Sequence, residues 1–595
     1  MPSIPPPRSV SVHYRIEAAD LHAHLFRVTL TVDQPAAQQH VSLPVWIPGS
    51  YMVREFSKNL QRLMARQAGR TAAVQQLDKC NWQVECVPSS PLVLTYEVYA
   101  FDNSVRTAWL DTQRGFFNCT SLCLKIHGEE SSAHSVELVA GKGTSHWDVA
   151  TGLAPHKVGR RGFGTYVAQD YDELADCPVE MGTFWSGEFK AAGVPHRLVV
   201  AGASESFDSA RLLADVHKIC EAEIRFWHAH GGGTGRAGKR PPHKSYVFML
   251  NAVDDGYGGL EHRNSTALIA SRRDLPRLGE ARASDGYVTL LGLISHEYFH
   301  TWNVKHLRPA EFTRYDYGAE NYTQLLWFFE GFTSYYDDLL LRRAGLIDDT
   351  TYFKLLNKTI NQVLQTPGRE VQAVAQASFD AWVKYYRQDE NTANATVSYY
   401  TKGALVALCF DLTLRAEGHT TLDDVMRALW RRCKGGPMTE ADFAAVLKEL
   451  GGRPFTREIA AWVHGTRELP LQDVLAPFGI AVMEDPAQLQ QRLGVRVTEN
   501  AGIQLKTVLR GGAAEQAGIA AHDEWLGIEV AGAAWRMAKL DDLTLYAGTH
   551  RKVTAIVARD RRILRLELAL PASVTTWRLV VRDTTLAQPW LMAHA

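Results

Sequence analysis

The sequence has no long block of like charge. Its 64 Lys and Arg offset 65 Asp and Glu, leaving a formal net charge of −1 over 595 residues. That balance argues against a nucleic-acid partner and against attraction to an anionic membrane. No apolar run reaches the length of a membrane span. The first eight residues, Met1 to Arg8, lack the apolar stretch of a secretory signal. No tandem repeat is visible. Cysteine is sparse, with eight scattered residues and no paired C-x-x-C spacing. Such thiols point to a reducing compartment, the cytoplasm, with two disulfides as the alternative. What remains, 46% hydrophobic and 22% charged, is ordinary for a soluble globular protein. The length suits three or four domains.

One stretch carries chemistry. His296-Glu297-Tyr298-Phe299-His300 spells H-E-x-x-H at the end of the apolar run Gly286–Ser295. That run reads as a buried helix. Positions i and i+4 share a helix face, so His296 and His300 can place two imidazoles on one ion. Glu297 projects about 100° away, within reach of a water that a zinc ion would acidify. The plainer alternative is a surface helix that happens to carry two histidines and an acid.

A third ligand separates the two readings, and three residues are candidates. His306 completes H-E-x-x-H-x-x-N-x-x-H, a metzincin-like string with Asn303 at the glycine position. The next methionine is Met426, too far for a methionine turn. Glu320 lies in a loop at Tyr317–Tyr322. Glu330 stands inside Leu325–Tyr336, an apolar run where a carboxylate is costly to bury unless it is paired or binds a metal. Glu330 is therefore the leading candidate.

Along the chain, residues 1–190 alternate apolar and polar positions between Gly, Pro, Asn and Asp, as in His24–Val32 and Leu92–Tyr99, and predict a β-sandwich. Arg54, Glu55 and Asp111 are polar residues among aromatics there. They suit either an active-site rim or a structural ion pair. Residues 191–345 predict the catalytic core, with strands at Leu198–Ala201, Tyr246–Leu250 and Thr266–Ala270 and a helix from Ser206 to about His230. Gly233–Lys239 matches G-x-x-x-x-G-K, but Arg240 follows instead of Ser or Thr, and a helix precedes it, so no phosphate loop is expected. Gly258 and Gly259 beside a strand permit close approach of a peptide backbone, by addition to an exposed edge. Residues 346–480 read as helical, with helix starts at Thr421 and Thr439. Short strands return in 485–575, and 576–595 reads as a tail.

The string H-E-Y-F-H-T-W-N-V-K-H-L-R-P, the segment L-W-F-F-E-G-F-T-S-Y-Y, and the pieces Trp46–Phe56 and Gly258–His262 together resemble the glycyl aminopeptidases, peptidase family M61. The likeness covers nearly the whole chain. It implies a multidomain α+β protein: an N-terminal β-sandwich, a thermolysin-like zinc domain with a helical portion, and a C-terminal PDZ-like domain. It departs from the wider gluzincin pattern in the twenty-nine residues between His300 and Glu330, which an insertion around 308–321 would absorb.

The resemblance implies Zn2+ on His296, His300 and Glu330, with Glu297 as general base. It implies Tyr400, in Tyr399-Tyr400-Thr401-Lys402-Gly403, as oxyanion donor, and Glu261, after Gly258 and Gly259, as anchor for a substrate's free α-amino group. His262 stands where better-known aminopeptidases carry asparagine, so it either lines the pocket or packs. The implied activity is removal of small N-terminal residues, Gly and Ala, from peptides. One alternative is an endopeptidase whose PDZ-like segment, with Arg492–Val495 as a degenerate carboxylate loop, recruits C-terminal peptides. Another is a non-catalytic PDZ adaptor, against which the intact H-E-x-x-H argues. Oligomeric state is not legible.

Overall fold

The computed structural model describes residues 10–228 and 240–592. The chain divides into two compact units, one running to Tyr322 and including Trp430–Met438, the other made of Thr323–Leu429 and the chain from Thr439 on. The phosphate-loop-like segment Gly233–Lys239 lies outside the described residues.

The first unit opens as a β-rich domain. Val10–Asp20 pairs antiparallel with Leu25–Val32 and parallel with Ala133–Val139 inside an eight-stranded sheet. Two four-stranded sheets accompany it. Alternation drives this arrangement. Phe26, Val28, Leu30 and Val32 turn inward on one face and share a core with Val41 and Trp82 of one small sheet and Phe116 and Phe117 of the other.

The same unit continues into a five-stranded sheet. Its order is Phe184–Ala191, Val194–Ala201, Tyr246–Val253, Ser265–Ser271, Tyr257–Glu261. Val194–Ala201, Tyr246–Val253 and Ser265–Ser271 run parallel, and their residues are almost all buried, as strands covered on both faces must be. Tyr257–Glu261 is antiparallel to its neighbour and forms the edge. Helices Ser209–His228 and Asp285–Phe299 pack together through polar links inside an apolar contact: Ser295 Oγ donates to Glu223 (3.0 Å) and Tyr287 OH to Asp215 (2.8 Å). Ser284 caps the second helix by accepting from Tyr287 N. The segment where an insertion is expected is tied to the N-terminal domain: Val45 N and Trp46 Nε1 donate to the carbonyls of Tyr317 and Asp316.

The second unit is helical before it turns to strands. Gly331–Arg343 and Thr401–Glu417 cross where two glycines meet: a Cβ on Gly331 would lie 2.5 Å from Gly403 Cα. Buried charge ties these helices down, with Tyr335 OH and Arg415 Nε both on Asp411, and Tyr336 OH and Arg343 on Asp423. Thr439 heads Glu440–Gly451 with a reciprocal capping box. A six-stranded sheet follows with its own core, including Leu493, Leu505, Trp525, Ile528 and Val557.

Residues 576–595, expected as a tail, are built into this unit over their described part. Thr575–Val581 pairs antiparallel with Ile480–Pro486, and the helix Thr584–Leu591 buries Trp590, whose Nε1 donates to Tyr335 OH (2.8 Å). A fully buried indole with its N–H satisfied accounts for the ordering. All eight cysteines are free. No helix of the described residues is long and apolar enough to cross a membrane.

Candidate active site

The edge strand sets the geometry. Glu261 ends Tyr257–Glu261 and is 5% exposed. A loop of the N-terminal domain closes on it: Gly49, at φ +94, comes so near that a Cβ there would lie 2.5 Å from Glu261 Oε1. Two residues back along the strand, a Cβ on Gly259 would lie 2.0 Å from Glu297 Oε1. Gly259, where close approach is expected, and Gly49, which the sequence did not single out, are both close approaches of a backbone to a buried carboxylate, where a side chain would not fit.

Glu297, also 5% exposed, projects from the last turn of Asp285–Phe299. His296 and His300 share one face of this turn and meet edge to face, with ring centroids 4.6 Å apart. His300 sits at the helix end and its Nδ1 donates to Asn303 O (2.8 Å). That bond fixes the tautomer and leaves Nε2 with a lone pair for a ligand. Beyond it the chain turns sharply. Val304 is buried at φ +120, strained for a β-branched residue, and is held by Val304 N to Leu307 O (2.8 Å).

The turn is locked by a buried ion cluster. Lys305 Nζ lies 2.7 Å from Asp176 Oδ1, with side chains 5% and 10% exposed. Asp176 also takes His262 Nδ1 (3.2 Å) and Arg263 N (3.0 Å). Burial pushes the Asp176 carboxyl up, but Lys305, His262 and Arg263 outweigh it and hold the group well below the carboxylate range. His262 is thus a packed, buried residue held by Asp176, and burial lowers its pKa.

In the second unit Glu330 is 2% exposed at the head of Gly331–Arg343. Tyr400 precedes Thr401–Glu417, and its ring stacks on Tyr385 and Tyr399. Burial, then the Glu330 charge, raises the phenol well above its ordinary pKa, so Tyr400 is a neutral donor at pH 7.

Among the described residues, one group of side chains is spaced to hold a metal: one atom each from His296, His300 and Glu330, all within 4.8 Å of one another. Two imidazole nitrogens and a carboxylate oxygen suit zinc and leave a fourth position open. The other two candidates stand apart from this group. His306 Nδ1 is on Thr301 O (2.7 Å), with burial lowering its pKa to about 4, and Glu320 accepts from Tyr322 OH.

The rim residues named from sequence resolve differently. Glu55 pairs with Lys79 at the surface (2.8 Å), Asp111 caps a turn through Gln113 N and Arg114 N, and Arg54 donates to Ser50 Oγ. A residue the sequence did not single out, Arg106, reaches the edge strand instead, with Nη2 3.1 Å from Gly259 O.

In the C-terminal sheet, Val495–Thr498 is an edge strand. A cavity of about 260 Å³ is lined by Leu489, Leu493, Leu543, Thr544 and Ala547, among others. Arg492, expected in a carboxylate loop, spends Nε and Nη2 on Pro571 O (3.1 and 2.8 Å).

Comparison with known proteins bears on this site. The family model described as "Peptidase M61 N-terminal domain" matches residues 13–183, and that described as "M61 glycyl aminopeptidase" matches 289–406. A crystal structure of an aminopeptidase N family protein from Idiomarina loihiensis is 36% identical, with a TM-score of 0.91 over 98% of this chain and all of the other. An M1 zinc metallopeptidase from Deinococcus radiodurans is 14% identical, with a TM-score of 0.47 over 78% of this chain and 97% of its own. No curated protein matches the sequence.

Proposed function

The chain belongs to the M61 glycyl aminopeptidase family and is a metallopeptidase, and from that premise we propose that it removes small N-terminal residues, Gly and Ala, from peptides using Zn2+. The observation that carries the reading is the group of two imidazoles and one carboxylate at His296, His300 and Glu330. When bound, zinc supplies a Lewis acid that acidifies water and polarises the scissile carbonyl. Glu297 takes the proton of the attacking water on its carboxylate and returns it to the leaving amine. Tyr400, neutral at pH 7, donates a hydrogen bond to the developing oxyanion. Glu261 pairs with the substrate's α-ammonium. Its buried carboxylate, closed over by Gly49, supports a site that accepts a chain end and not a chain interior. Gly258 and Gly259, lacking side chains, let a peptide backbone approach the strand from Glu261 as far as Gly259 O, where Arg106 is bound.

The free cysteines suit a reducing cytoplasm. Family membership removes the adaptor alternative. An endopeptidase assisted by a PDZ-like C-terminal domain is the second reading, favoured by the Val495–Thr498 edge and the cavity beside Leu493. The separating experiment offers alanyl peptides with free and with N-acetylated amines. Cleavage of the free series alone supports the aminopeptidase. Equal cleavage of both makes Glu261 dispensable and favours the endopeptidase.

A further inference from the structure

Arg106 is presented at the substrate strand by a loop that cannot easily move. Asn118, fully buried, donates from Nδ2 to the carbonyls on either side, Val105 O (2.9 Å) and Thr107 O (3.2 Å). Thr107 Oγ1 donates to Asp102 O (3.0 Å), and Asn251 Nδ2 on the five-stranded sheet donates to Asn103 Oδ1 (2.8 Å). The backbone around Arg106 is thus clamped within its domain and tied to the sheet.

The guanidinium it carries is underused. Nη2 donates to Gly259 O, while Nε is buried without an acceptor among the described residues. Nη1 lies 3.5 Å from where a Gly258 Cβ would stand, directly over the strand. Nη1 and the second N–H of Nη2, with no acceptor among the described residues, form the face of a planar fork suited to a carboxylate.

Its position along the strand names which carboxylate. Leu260 O faces the neighbouring strand, where Thr266 Oγ1 donates to it (3.0 Å). By alternation the carbonyls of Gly259 and Glu261 face the open edge. A peptide laid antiparallel on that edge, with its amino end at Glu261, runs toward Tyr257. Two residues of strand span about 7 Å, and an extended dipeptide spans the same. The carboxylate of a dipeptide therefore reaches Gly259, where Arg106 already caps the strand.

We propose that Arg106 is a substrate-binding residue that receives the C-terminal carboxylate of dipeptides, making peptides two residues long, free at both ends, a preferred substrate class. This rests on the assignment of Glu261 as amine anchor. Longer peptides present a neutral carbonyl at the same point and gain less.

The test uses the full-length zinc enzyme with alanyl-alanine, alanyl-alaninamide and alanyl-p-nitroanilide. Arg106→Ala is expected to raise KM for alanyl-alanine about tenfold or more, with kcat held and the two substrates without a carboxylate within about threefold of wild type. Arg106→Lys is expected to restore part of the dipeptide KM. Equal losses on all three substrates make Arg106 a structural tie and overturn the proposal, as does no loss on any. Wild type that cleaves none of the three overturns the aminopeptidase assignment itself.

Discussion

Gly259 lies against the proposed general base. Its missing side chain leaves the space that the Glu297 carboxylate fills. In Gly259→Ala the methyl would overlap Oε1, Cδ and Cγ of Glu297 and force that side chain aside. Stability should hold, while kcat falls about a hundredfold, the cost of moving a catalytic group by roughly 1 Å. Thermal unfolding and alanyl-p-nitroanilide kinetics on the same preparation check this, and an unchanged kcat would contradict it. The sequence made part of this legible. His296, Glu297 and His300 lie within one helical turn, so their relation follows from local geometry alone. Gly258 and Gly259 signalled close approach of a peptide backbone, whereas the space at Gly259 is filled by the Glu297 carboxylate. Arg106 was not legible, because its acceptor is 153 residues away and nothing local distinguishes it from a solvated loop arginine.

Among the elements, the loop after His300 depends on the Asp176 cluster. Asp176 ends a short helix of the N-terminal domain, yet it holds Lys305, five residues past His300, and His262 and Arg263, just past the edge strand Tyr257–Glu261. Asp176→Ala leaves the Lys305 ammonium buried and uncompensated, and should cost about 3–5 kcal/mol in urea unfolding. A loss under about 1 kcal/mol would place the cluster with exposed ion pairs. Strands of clear alternation, such as Leu25–Val32, were readable in advance. Thr575–Val581 was not, because its residues are exposed or half-buried and its partner Ile480–Pro486 lies some ninety residues earlier.

Taken whole, the molecule should weaken in mild acid. Burial holds His196, His228 and His306 at about 4 and His243 at about 3, against an ordinary value near 6.5. From about pH 6.5 down to about pH 4 the unfolded chain binds protons that the folded chain does not. Stability is therefore fully present above pH 6.5 and is lost as pH falls through this window. The urea midpoint should drop from pH 7 to pH 5. His243→Gln should flatten the slope by up to about 1.4 kcal/mol per pH unit. Equal midpoints at the two pH values would contradict the assignment of these histidines as neutral and buried.

The most direct measurement compares wild type with Glu297→Gln on glycyl- and alanyl-p-nitroanilide, with zinc content determined in both. The account predicts equal zinc, turnover in wild type and a loss of about a thousandfold in the variant, because only the proton acceptor is removed. A zinc-loaded Glu297→Gln protein that turns over within threefold of wild type would contradict it.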